Sequence, residues 1–126
     1  MPQVKVFSRL GKLTIESRDQ LRKLLPIIVA SALNVPEKED ARLHPNDIGV
    51  RFSYAKPDDV LTHDIEITVS SNFYPERHDN LKERTSRIVR GVMPIFQTTV
   101  SFYVWVKLVQ AAFEWATGSG GVEQAE

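Results

Sequence analysis

At 126 residues the chain has room for one domain with a proper core and not for two. Its 16 Lys and Arg balance 16 Asp and Glu, so no net field draws it to nucleic acid or to an acidic membrane surface. Zero cysteines exclude disulfides, thiol catalysis and cysteine-bound metal, while 42% hydrophobic and 25% charged residues are ordinary for a globular protein.

The chain opens on Met1-Pro2, and Val4, Val6 and Phe7 read as a first strand. A proline directly after an initiator methionine is small enough for the methionine normally to be trimmed, which leaves Pro2 with a secondary amine. A free α-amino group titrates at about 7.7–8.0, and burial among apolar residues lowers that value. Such an amine, held by a strand, is a general base or nucleophile near neutral pH that needs neither histidine nor cysteine. The first residues lack the charged and long apolar regions of a signal peptide. The apolar run at Leu24–Val29 is too short for a bilayer and contains Pro26. A soluble, cytoplasmic protein is expected.

After a loop around Gly11, Ser17-Arg18-Asp19-Gln20 fits a capping box with Ser17 as N-cap. Leu21, Leu24, Leu25, Ile28, Val29, Ala32 and Leu33 then repeat at helical spacing. Pro26 falls on the other side of that stripe, which predicts one bent helix rather than two. Asn34-Val35-Pro36 ends it, and Pro45-Asn46-Asp47 marks a turn. Residues Ile48 to Tyr54 alternate as a strand, with Val50 and Phe52 on one face and Arg51 on the other. Asp64 to Ser70 alternates likewise and runs into a polar-aromatic loop from Ser71 to Asp79. Asn80 to Glu83 is a second capping box, followed by a stripe of Leu81, Ile88, Val89 and Val92 ending near Gly91–Pro94. The last strand, Val100 to Leu108, is apolar on both faces and belongs in the sheet interior or against another subunit.

The element order is β-α-β followed by β-α-β, with pseudo-repeats at about 2–56 and 63–109. Right-handed crossovers make the strands of each unit parallel. The expected fold is therefore α+β: duplicated β-α-β units forming a four-stranded mixed sheet with two helices on one face, in a single domain over 1–116. Residues 117–126 form a glycine-rich, acidic tail. One sheet face stays uncovered, and Phe7, Tyr103 and Trp105 are candidates to line it, which argues for an oligomer whose sheets wrap together.

An N-terminal proline opening a duplicated βαβ chain of this length resembles the tautomerase superfamily, in its fused-repeat branches. The resemblance covers roughly Pro2 to Leu108 as element order, and its motif is short, Met-Pro plus a hydrophobic strand. The glycine-arginine-serine-like turn common before the first helix appears only as Gly11-Lys12-Leu13-Thr14. The resemblance implies a homotrimer without cofactor or metal, in which the proline nitrogen moves a proton on a small 2-oxo or enol carboxylate and arginines bind the carboxylate. Carried onto this chain, it makes Pro2 the catalytic residue and Arg77 the first carboxylate anchor, in a loop near solvent. Arg51, Arg9 and Tyr103 complete the substrate-binding set. Arg77 could instead pair with an acid, Arg51 could face solvent or a subunit, and Tyr103 could simply pack. His44, His63 and His78 stand in separate loops without metal-ligand spacing. The same element order also serves a rival of another class, a non-catalytic ferredoxin-like βαββαβ assembly or small-ligand-binding module.

Overall fold

A computed structural model of the chain describes residues 2–110, 114 and 116–118. The expected tail lies outside the described residues except for Thr117 and Gly118. The strands are β1 (Gln3–Ser8), β2 (Gly49–Tyr54), β3 (Ile65–Asn72) and β4 (Phe102–Val109), and the helices are α1 (Ile15–Leu33), α2 (Pro75–Asp79) and α3 (Leu81–Val92). They form one sheet in the order β2-β1-β3-β4. β1 runs parallel to β2 and β3 parallel to β4, and the two halves meet antiparallel along β1 and β3. The mixed four-stranded sheet expected from the duplicated pattern is the one that forms.

Strand alternation decides the two faces. Val4 and Val6 of β1 and Ile65, Ile67 and Val69 of β3 are fully buried against Leu21, Leu25, Val29 and Leu33 of α1 and Ile88 and Val92 of α3. Each such side chain contributes about 1.5–3 kcal/mol on leaving water. The two helices pack closely because α3 carries Gly91 at their contact: a Cβ there would come within 2.9 Å of Ile28 Cγ2. Pro26 sits inside α1, which runs through it as one helix.

Register sets the rest of the sheet. On the uncovered face Lys5 lies between Arg51 and Thr68, and Trp105 follows beyond Thr68. One step along, Phe7 lies between Ser53 and Glu66, with Tyr103 beyond. Trp105 is 59% exposed there. Phe7, Tyr103 and Trp105 thus do line the open face.

Several local expectations are corrected. α1 starts before Ser17: Thr14 is the N-cap, its hydroxyl accepting from the Ser17 amide at 3.0 Å. The Ser17 hydroxyl instead donates to the Ile95 carbonyl at 3.1 Å and ties α1 to the turn after α3. Asn80 is the N-cap residue of α3, but its side chain makes no capping bond and accepts from Arg84 Nε. The stretch 71–79 is not a plain loop, since β3 continues to Asn72 and Pro75, preset for a first helical turn, opens α2. β4 lies at the sheet edge, not in its interior, because β1 and β3 take the centre.

Candidate active site

Pro2 is buried at the head of β1, and its carbonyl accepts the Gly49 amide at 3.2 Å. That bond fixes the proline to the head of β2 through main-chain atoms alone. β3 ends alongside, since Gln3 pairs with Ser70. The connection from α1 to β2 and the short α2 close this end of the sheet.

Arg77 belongs to α2 rather than to an exposed loop, and it is 2% exposed. Every guanidinium nitrogen donates to the protein: Nε to the Leu33 carbonyl at 2.8 Å, Nη1 to Ser71 Oγ at 3.1 Å and the Asn72 carbonyl at 3.0 Å, and Nη2 to the Ala41 carbonyl at 3.0 Å. The Tyr74 ring lies 4.9 Å from its Cζ. The cause is visible in α1, whose last turn carries no basic residue, so its terminal carbonyls need donors from elsewhere.

Arg84 supplies the remainder. Its Nη1 donates to the carbonyls of Ala32 and Asn34, both at 3.0 Å. Desolvation pulls both guanidinium groups below their ordinary pKa, and neighbouring arginines add to the effect. Arg84 was missed by sequence reasoning, although a signal existed. It falls on the stripe of Leu81, Ile88 and Val92 at i+3 from Leu81 and i−4 from Ile88, where a charge must be buried and paired.

The remaining candidates are spread over the sheet. Arg51 is exposed on the open face beside Lys5, whereas Pro2 continues the helix-side row of Val4 and Val6. Arg9 lies past the far end of β1, about 23 Å of extended chain from Pro2. There it donates to the Leu61 carbonyl at 2.7 Å and meets Asp64 at 3.8 Å. With Leu10, Lys56, Pro57 and Val60 it lines a cavity of about 410 Å³ at that far end. Tyr103 stands level with Phe7 and edge-on to His63, with ring centroids 5.3 Å apart. Burial, then the charge and hydrogen bond of Glu66, push its hydroxyl above the usual tyrosine pKa. One chain alone therefore does not bring Arg9, Arg51 and Tyr103 to Pro2. Among the described residues no cluster of His, Asp and Glu forms a metal site, and no helix is long and apolar enough to cross a membrane.

Two parallel βαβ units joined antiparallel in one sheet make a tautomerase-type fold. Solved structures of the tautomerase superfamily carry the same architecture. A fused 4-OT symmetric trimer is similar at a TM-score of 0.61 and 14% identity, over 98% of this chain and 99% of that one. A macrophage migration inhibitory factor-like protein from Entamoeba histolytica gives 0.60 and 8%, over 94% and 96%. A malonate semialdehyde decarboxylase gives 0.54 and 20%, over 94% and 92%. No family model and no curated protein matches the sequence.

Proposed function

We propose that the chain is a tautomerase-type enzyme in which Pro2, freed of Met1, moves a proton next to the carbonyl of a small 2-oxo or enol carboxylate. The observation that carries this reading is a buried proline at the head of β1, its carbonyl bonded to the Gly49 amide, in a tautomerase-type fold. Burial disfavours the ammonium form and keeps the amine available as a base. The enzyme works as a homotrimer without cofactor. The open sheet face with its exposed Trp105 and the edge strands β2 and β4 are the surfaces that neighbours would cover. Arg9, Arg51 and Tyr103 then reach a carboxylate at the Pro2 of a neighbouring copy, since within one chain they do not.

The test is ketonisation of phenylenolpyruvate and of a 2-hydroxydienoate, followed by absorbance, with light scattering on the same sample. Protein whose mass starts at Pro2 should turn over and run as a trimer. Pro2→Ala should keep partial activity, and one extra residue before Pro2 should abolish it, because an amide nitrogen is not a base. Equal turnover by the extended protein would instead favour a non-catalytic ligand-binding module. That second reading draws on Arg77, whose guanidinium is committed to protein oxygens.

A further inference from the structure

We propose that Ser71, gripped by Arg77, faces the Pro2 amine and sets its protonation, so that both act as positioning residues for the proline. The inference rests on the reading of Pro2 as the acting amine. In the β1–β3 ladder Val4 pairs with Val69 and Gln3 with Ser70. One further antiparallel step sets Pro2 beside Ser71, and alternation turns both to the helix side. Pro2 is buried there and Ser71 is 2% exposed.

Ser71 Oγ accepts from Arg77 Nη1 at 3.1 Å. A hydroxyl has one proton to donate and two lone pairs. With Arg77 on a lone pair, the Ser71 proton is left to donate, and among the described residues no oxygen receives it. The neutral proline amine offers a lone pair for that proton, and a bond donated to the neutral form favours it. The guanidinium behind Ser71 acts in the same sense. Its bonds go to carbonyls and to Ser71, and the neighbouring Glu76 carboxylate is paired with Lys38 at 3.5 Å. A second positive charge on Pro2 is therefore repelled.

Other charged or titratable groups of the elements meeting at this end are His78 and Asp79 on α2 with Tyr74 before it, Lys82, Glu83 and Arg84 at the start of α3 and Lys107 on β4. The α1–β2 connection adds Glu37, Glu39, Asp40, Arg42, His44 and Asp47, and Lys5 follows on β1. The final turns of α1 add none. Arg84 has the same sign as Arg77 and is likewise tied to backbone carbonyls.

The experiment is a ¹⁵N-proline NMR titration of protein whose intact mass starts at Pro2, for wild type, Ser71→Ala, Arg77→Gln and Arg77→Lys. The acidic limb of kcat/KM for phenylenolpyruvate is recorded alongside. Ser71→Ala and Arg77→Gln should move the Pro2 titration up by about one pH unit and carry the acidic limb with it. Arg77→Lys, which keeps the charge, should stay nearer to wild type. A purely structural pair would lower the melting temperature and leave the titration in place, and that result overturns the proposal. Ser71→Ala removes only a hydroxyl and decides the matter if Arg77→Gln does not fold. The titration reads the amine directly. An unmoved titration with an inactive extended protein therefore sinks this inference and spares Pro2 as the base. An extended protein with full activity sinks both.

Discussion

Both halves of the sheet must join the head of one parallel strand to the head of its neighbour, and they do so with different atoms. In the first half the Gly49 amide reaches the Pro2 carbonyl, a bond between main-chain atoms. In the second half the junction is made by Asp64, directly before β3, whose carboxylate accepts from the Ser101 amide at 3.1 Å and the Ser101 hydroxyl at 3.4 Å. Ser101 Oγ in turn accepts the Asp64 amide at 3.1 Å. The second junction is a closed lock of side chains, while the first is a main-chain bond. Helix ends differ as well. α3 has Arg90 in its own last turn, whereas α1 has no basic residue there and borrows Arg77 and Arg84 from the second half. Duplication of the fold has thus not duplicated its joints, and the second half acts as the frame of the first.

The largest effect that would break this dependence is expected at Arg77. Arg77→Ala strips donors from the Leu33, Ala41 and Asn72 carbonyls and from Ser71 inside the protein. The cost should be about 3–4 kcal/mol, read as a fall of roughly 10 °C or more in melting temperature. A change within about 0.5 kcal/mol, the range of an ordinary surface substitution, would show that α1 does not need the second half. Arg84→Ala comes next, at about 2–3 kcal/mol, because Ala32 and Asn34 lose their donor while water can reach that edge more readily. Urea denaturation of the two single variants and the double would sharpen the point. A coupling near zero would mean that the arginines serve separate carbonyls without sharing a clasp.

Thr14→Ala tests the other end of α1, where the first half supplies its own cap. Loss of the bond from the Ser17 amide should cost about 1 kcal/mol, measured as a shift in urea midpoint at unchanged slope. This cap also marks where sequence reading stopped. Thr14 and Ser17 are both good N-caps, and Ser17 followed by Gln20 has the better box. The choice was made by the Ile95 carbonyl, far along the chain, which takes the Ser17 hydroxyl. The two-residue and helical periodicities were enough to read the four strands and both long helices, because each turns apolar residues to the core, fully buried in β1 and β3 and mostly half-buried in β2 and β4. They could not read that Arg77 is buried. Its environment is made by carbonyls from α1, from the α1–β2 connection and from the end of β3, none of which is near it in a pattern. Nor could they rank strands, so an apolar β4 fitted either the sheet interior or a subunit contact, and the order β2-β1-β3-β4 removes the first of these. Of the candidate site, the position of Pro2 at the head of the first strand was legible from the sequence. That Arg9, Arg51 and Tyr103 share the open-face row, away from the helix-side row of Pro2 and towards the middle and far end of the sheet, required the register.

The smallest expected effect lies at the lock of the second half, and it carries a pH signature of its own. Hydrogen bonding from the Ser101 amide, which outweighs the opposing desolvation, holds the Asp64 carboxyl below its ordinary value of 3.8, with help from Lys12, Arg9 and the Ser101 hydroxyl. A carboxyl depressed in the folded state binds fewer protons there than in the unfolded chain. Its stabilisation is therefore complete above the unfolded value and is lost as pH falls through the lower, folded one. Asp64→Asn keeps an oxygen that can accept from Ser101 but removes the charge. The variant should be less stable than wild type at pH 7, and the gap should close below pH 3.8, where the wild-type carboxyl becomes protonated. Urea midpoints of both proteins at neutral and acidic pH measure the gap. A gap of equal size at both ends would mean that the lock works through shape and neutral hydrogen bonds. In that case the two strand junctions would differ in packing rather than in charge.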